Sequence, residues 1–270
     1  MLTSTFVFLQ GVGLATERRL WQQGLVDWQD FIKQTSVEGL SPDRKSLYDR
    51  ELTHAQTEFD SGNLRGLASR LQQREHWRFY GSCRPDILYL DIETTGLSPH
   101  DPTGTVTVVG LHRNGNTMSL VQGETLTADR LQAELDQSRL LVTFFGTNFD
   151  VPYLRAKFPR LRFEMPHFDL CFAARRLGFC GGLKHLELEF GIERGPAIHG
   201  LDGTDAVRLW SHWQRGDRIA RDRLLAYNVA DTESLVPLSA LVYKEMMSRF
   251  GPLSVGAPLT PSSFLVLSRQ

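Results

Sequence analysis

An apolar run, Ile87-Leu88-Tyr89-Leu90, ends on Asp91-Ile92-Glu93-Thr94-Thr95-Gly96-Leu97, where two carboxylates are separated by a single residue. Such a run reads as a strand. Side chains on a strand alternate, so Asp91 and Glu93 leave the same face, roughly 6–7 Å apart along the strand. Two neighbouring acids repel each other unless a positive charge lies between them, and hard divalent cations take oxygen ligands. An isolated Asp-x-Glu is better read as a solvated strand end running into a turn at Gly96. The metal interpretation therefore depends on further acids downstream.

Two more clusters supply them. Phe144-Phe145-Gly146-Thr147-Asn148-Phe149-Asp150-Val151-Pro152 follows the apolar run Leu140-Leu141-Val142 and opens a helical pattern. Tyr227-Asn228-Val229-Ala230-Asp231 lies inside a long amphipathic helix with Leu224, Leu225, Val229 and Leu235. Tyr227 and Asp231 stand four residues apart and share one helix face. Each cluster has a plain alternative: Asp150 as a helix N-cap, and Tyr227 with Asp231 as a half-exposed pair. Their order along one domain is what distinguishes them.

That order resembles the DEDD (DnaQ-like) superfamily of 3′-to-5′ exonucleases, which have a ribonuclease H-like fold. The Tyr four residues before the last Asp is similar to the tyrosine (DEDDy) branch, over roughly residues 85–245. His167-Phe168-Asp169-Leu170, Arg175-Arg176, Gly181-Gly182-Leu183-Lys184-His185-Leu186, Leu209-Trp210 and Tyr227-Asn228 further resemble the bacterial YprB-like family. One position departs from the pattern: Phe145 stands where such families place Asn early in the second motif, while Gly146, Phe149 and Asp150 are kept. The departure bears on substrate contacts in that loop more than on metal binding.

The resemblance implies a set of roles. Asp91, Glu93, Asp150, Tyr227 and Asp231 are the expected catalytic residues, and the four acids among them the expected metal ligands. Asp91 would bridge two ions, Glu93 and Asp231 would complete one site, and Asp150 would reach the second through water. Two ions about 3.5–4 Å apart activate a water and stabilise the leaving oxygen in an in-line displacement. All-oxygen ligation fits Mg²⁺ or Mn²⁺, whereas Zn²⁺ prefers His or Cys. Tyr227, with an ordinary pKa of about 10, is neutral at pH 7 and suited to orienting the attacking water. Candidate substrate contacts are Thr94, Asn148, Phe149, Lys184, Gly11 and Gly13. Asp169 is expected as an N-cap or support, His185 as structural, and Asp202 and Asp205 as caps; His199 lies in a Gly/Pro-rich loop and is assigned no role.

Length and composition are compatible with this. At 270 residues and 41% hydrophobic, the chain holds one large domain or a domain with a small module. No apolar run is long enough to span a membrane, and the first residues lack a basic n-region and a long apolar h-region, so no signal peptide is expected. Three cysteines, Cys83, Cys171 and Cys180, form no CxxC and point to reduced thiols in a cytoplasm. A net charge of −1 neither favours nor excludes a polyanionic partner.

Residues 1–84 read as a helical module. Gly11-Val12-Gly13 before a helix from Leu14 resembles the hairpin of a helix-hairpin-helix motif, where backbone amides meet a phosphate; a plain helical turn is the alternative. Helices are expected from Trp28, near 43–59 and near 62–79. Arg65, Arg70, Arg74, Arg78 and Arg84 run beside Trp77, Phe79 and Tyr80, either as a single-strand binding face or as a solvated face with its aromatics turned inward. Strands follow at 87–93, 105–112 and 117–122, with Asn114-Gly115 as a hairpin turn. A helix over 128–136, a strand over 140–144, a helix over 151–158 and a strand over 163–167 come next. Helices near 168–177, 182–190, 204–213 and 217–249 close the domain. The expected fold is α/β: a ribonuclease H-like mixed five-stranded sheet flanked by helices over 85–250, preceded by the helical module. Residues 251–270 read as a mobile C-terminal tail in which Phe264-Leu265-Val266-Leu267 has the composition to dock.

The leading function is hydrolysis of phosphodiester bonds, removing nucleotides from a single-stranded 3′ end of DNA or RNA. An endonuclease and a non-catalytic nucleic-acid-binding module are the alternatives.

Overall fold

The structure, a computed structural model, describes residues 1–252 apart from 97, 102, 196–199 and 202. The expected tail, from residue 253 onward, and the assignments to His199 and Asp202 lie outside the described residues.

The run before Asp91 forms the central strand. β1 (Ile87–Thr94) pairs antiparallel with β2 (Val106–Arg113), and β2 pairs antiparallel with β3 (Asn116–Val121). On its other side β1 pairs parallel with β4 (Leu140–Thr143), which pairs parallel with β5 (His167–Asp169). The order β3-β2-β1-β4-β5 is the mixed five-stranded sheet the sequence predicts. Asn114 and Gly115 both take positive φ, 52° and 77°, as a tight two-residue hairpin turn requires. The last strand sits later than 163–167. Pro166 has no N–H to donate, and the ladder begins where its carbonyl accepts from Leu141 N at 3.0 Å.

In the N-terminal part, α1 (Leu14–Gln22), α2 (Trp28–Lys33), α3 (Pro42–Asp60) and α4 (Leu64–Arg70) surround Phe6, Trp28, Phe31 and Leu52. The single helix predicted near 62–79 is broken: Leu71 is extended and Gln73–Ser82 winds as a 3-10 helix. Trp77, Arg78, Phe79 and Tyr80 are all buried, and four successive buried positions cannot lie on one face of an α-helix. The aromatics of this stretch therefore point inward. Its basic residues are also largely consumed: Arg65 pairs with Glu164 at 2.8 Å, Arg70 with Glu51 at 2.8 Å, and Arg78 is fully buried between Glu17 and Glu75, each at 2.8 Å. The hydrophobic cluster continues from these helices into Tyr89 and Val142 of the sheet.

Among the described residues, further helices frame the sheet: α5 (Ala128–Asp136), α6 (Asp150–Lys157), α7 (Leu170–Leu177), α8 (Leu183–Glu189), α9 (Gly203–Gln214) and α10 (Arg218–Phe250). α10 is 33 residues long, which makes it about 50 Å from end to end. Its first half crosses β1 and β2, and its second half, beyond Pro237, buries Leu238, Val242 and Met246 in the same cluster as Phe6 and Trp77. No helix among the described residues is long and apolar enough to cross a membrane. Cys83 and Cys171 are buried, Cys180 is exposed, and all three thiols are free.

Candidate active site

Asp91 and Glu93 leave β1 on the side covered by α10. The helix comes close because Gly110 of β2, opposite Asp91 in the register, has no side chain. A Cβ there would lie 2.5 Å from Asn228 Oδ1 and closer still to Thr232 Oγ1. Asn228 Nδ2 then donates to Asp91 Oδ2 at 3.2 Å, and Asn228 Oδ1 accepts from Ser119 Oγ of β3 at 3.3 Å. This seats Asp231, one turn further along α10, beside the strand. Carboxylate oxygens of Asp91, Glu93 and Asp231 lie within 4.8 Å of one another. A bulge at Glu93/Thr94 ends the regular pairing just past the acids.

Asp150 is the first residue of α6 and is buried. The N-cap position belongs to Phe149, which makes no side-chain capping bond, so Asp150 is not a cap. The backbone of Ile92, the residue between Asp91 and Glu93, is near enough to the Asp150 carboxyl to work against the upward shift in its pKa. The Asp150 charge raises the pKa of both those acids.

The electrostatics set these carboxylates against one another. Burial, then mutual repulsion, holds the Asp91 and Glu93 carboxyls well above their ordinary values. Burial lifts Asp150 to about 7 and raises Asp231 despite the adjacent Arg194 guanidinium. Arg194 is clamped by Glu187 of α8 through two hydrogen bonds of 2.5 and 2.6 Å, and its Nη1 forms an ion pair with Asp231 Oδ1. That oxygen is buried against the guanidinium. Three converging carboxylates without His or Cys are a hard, all-oxygen donor set, and they fit a divalent cation.

Tyr227 is buried beside the acids. Its hydroxyl accepts from Lys184 Nζ at 3.1 Å, and the ammonium lies 4.7 Å from the ring centroid. Lys184 also donates to the Leu201 carbonyl. Burial and the neighbouring carboxylates push the Tyr227 hydroxyl far above its ordinary pKa. It therefore stays protonated.

The other expected contacts divide. Thr94 closes onto Gly96 O at 2.7 Å at the end of β1. Asn148 is exposed and the Phe149 ring meets that of Tyr153 at a tilt of 56°, centroids 5.6 Å apart; both residues lie in the loop that ends on Asp150. Gly11 and Gly13 lie in the turn before α1, where the atoms near Gly11 belong to Arg44 and none of the acids is within 4 Å of either glycine. The structure does not bring these two into the acidic cluster. Asp169 caps α7 through Cys171 N at 3.1 Å and also accepts from Phe145 N and Thr147 N, each at 2.9 Å, so it holds the second-motif loop. His185 is exposed beside Glu189, and Asp205 lies in the first turn of α9, 3.4 Å from Arg208. Sequence reasoning missed Arg194, Glu187 and Gly110. None stands in a recognisable motif; the proximity of each to the acids is created by the tertiary fold.

A sheet of this order with acids on its central strand and on a crossing helix defines a ribonuclease H-like nuclease fold. The family model described as RNase_H superfamily matches residues 88–243, more than half of the chain, and the chain belongs to that superfamily. No curated protein matches it. Among solved structures, it is similar to the family B DNA polymerase from the hyperthermophilic archaeon Pyrobaculum calidifontis, at 14% identity and a TM-score of 0.45 over 61% of this chain. The chain spans 29% of that polymerase's length. It is also similar to Brucella melitensis NrnC, at 19% identity and a TM-score of 0.41, covering 62% of this chain and 76% of NrnC.

Proposed function

We propose that this chain is a metal-dependent 3′-to-5′ exonuclease of the tyrosine DEDD branch, similar to the YprB-like family, acting on single-stranded ends. The observation that carries the proposal is the convergence of Asp91, Glu93 and Asp231 oxygens within 4.8 Å. In this reading Asp91, Glu93 and Asp231 hold one Mg²⁺ or Mn²⁺, and Asp91 with Asp150 surrounds a second. When bound, such ions lower the pKa of water and offset charge on the leaving oxygen. Asn228 fixes the rotamer of Asp91. Tyr227, kept protonated, orients the attacking water with its O–H rather than removing a proton. Lys184 holds the Tyr227 hydroxyl and brings positive charge to the site. Segment 85–250 carries the chemistry, and helical segment 1–84 supports it.

The test uses a 5′-labelled single-stranded oligonucleotide with Mn²⁺. Progressive shortening from a free 3′ end is expected, with protection by a blocked 3′ end. Asp91→Asn or Asp231→Asn is expected to abolish cleavage, and Tyr227→Phe to slow it only. Internal cutting of the end-blocked strand would instead make the chain an endonuclease. Binding without cleavage would make it a non-catalytic module.

A further inference from the structure

The residue that departs from the second-motif pattern occupies an uncommon backbone position. Phe145 has φ of 64°, a left-handed conformation that bulky residues rarely adopt. Such strain persists where surrounding structure over-determines it, here through the two amides that Asp169 accepts. The conformation sets the Phe145 ring 5.9 Å from that of Phe172 on α7, at 35° between planes. Phe172 is one of few large hydrophobic side chains exposed among the described residues, at 37%. The Arg175 guanidinium lies 5.9 Å from the Phe145 ring and 5.8 Å from the Phe172 ring. The Arg175 side chain is exposed and makes no hydrogen bond or ion pair among the described residues. Beside Phe172 opens a cavity of about 230 Å³ bordered by Gln73, Arg74, Trp77 and Thr147.

Two accessible rings, an uncommitted guanidinium and the exposed Arg74 form an aromatic face with positive charge at its edge. Bases of any sequence stack on such faces while the cations meet the backbone. The face is joined to Asp150 by a short segment. Phe149 N donates to Phe145 O at 3.1 Å and Val151 N to Gly146 O at 2.9 Å, so the segment from Phe145 to Asp150 is coiled into little more than one turn. We infer that Phe145, Phe172 and Arg175 form a stacking subsite for a non-terminal base of single-stranded nucleic acid, with Arg175 and Arg74 facing its phosphates. The inference rests on the proposed nuclease function and assigns the part of the strand behind the reacting end.

Binding of fluorescein-labelled oligothymidylate in EDTA, followed by anisotropy, tests the subsite without any turnover. Phe172→Ala is expected to weaken binding about 10-fold, and Phe172→Trp to restore it. An abasic strand of equal length is expected to bind the full chain and Phe172→Ala equally. Unchanged affinity for oligothymidylate in Phe172→Ala, or equal loss for the normal and abasic strands, overturns the subsite. A chain that binds in this Phe172-dependent way but cleaves nothing loses the nuclease assignment and keeps the subsite. An active nuclease whose binding ignores Phe172 keeps the first and loses the second. Failure of the unaltered chain to bind oligothymidylate overturns the subsite outright.

Discussion

Replacing Gly110 with Ala isolates the contact that brings α10 to the sheet. The added Cβ would stand 2.5 Å from Asn228 Oδ1 and nearer to Thr232 Oγ1, both on α10. Ordinary van der Waals contact begins about 1 Å further out, so the helix must retreat by about that distance. The Asn228–Asp91 hydrogen bond is already 3.2 Å long and does not survive such a shift. Asp231 moves with Asn228 and leaves the group whose oxygens now lie within 4.8 Å. A misplacement of about 1 Å costs roughly 100-fold in rate, and the overpacking destabilises the fold by about 1–3 kcal/mol. The assay has three parts: calorimetric titration with Mn²⁺, cleavage of single-stranded DNA well below the melting midpoint, and the midpoint itself. Gly110→Ala should lose metal affinity and about two orders of magnitude in rate, and melt earlier. Adding Thr232→Ala removes the nearest clashing atom and should recover part of each loss. Wild-type rate and wild-type Mn²⁺ affinity in Gly110→Ala would refute the idea that close approach at this glycine assembles the cluster.

Further outcomes follow from the buried charges. The folded pKa of Asp150, about 7, exceeds its unfolded value of about 3.9, so the folded state binds this proton more tightly. The associated stability is fully present below about pH 4 and lost as pH rises through 7. Melting in EDTA should show this fall, Asp150→Asn should flatten it, and Mn²⁺ should raise the midpoint more at pH 8 than at pH 5. Equal metal shifts at the two pH values would contradict the assignment. Arg78→Met leaves Glu17 and Glu75 buried without their shared cation and should destabilise the fold by about 3–5 kcal/mol in urea titrations. A change below 1 kcal/mol would show that water reaches these acids.

Much of this was legible because the decisive residues obey local periodicities. Asp91 and Glu93 share a strand face, Tyr227 and Asp231 share a helix face, and Asn114-Gly115 names its turn. What escaped depends on partners distant in sequence. Arg78 looks like part of a basic surface run, but it enters the core because Glu17, 61 residues earlier, meets it there. Arg194 lies in a loop without a pattern and reaches Asp231 only through the clamp on α8. The strand expected at 163–167 was displaced by a single missing donor at Pro166.

The length of α10 has a consequence for how damage to this protein will read out. The first half of the helix carries Tyr227, Asn228 and Asp231, and its far end is anchored where Arg249 Nη1 holds the Leu177 carbonyl and Arg18 holds the Arg249 carbonyl. A cavity opened near Trp77 or Met246 loosens the far mount of the same rod. Genetic screens would score such a lesion as a loss of function, though no atom near the acidic cluster had been altered.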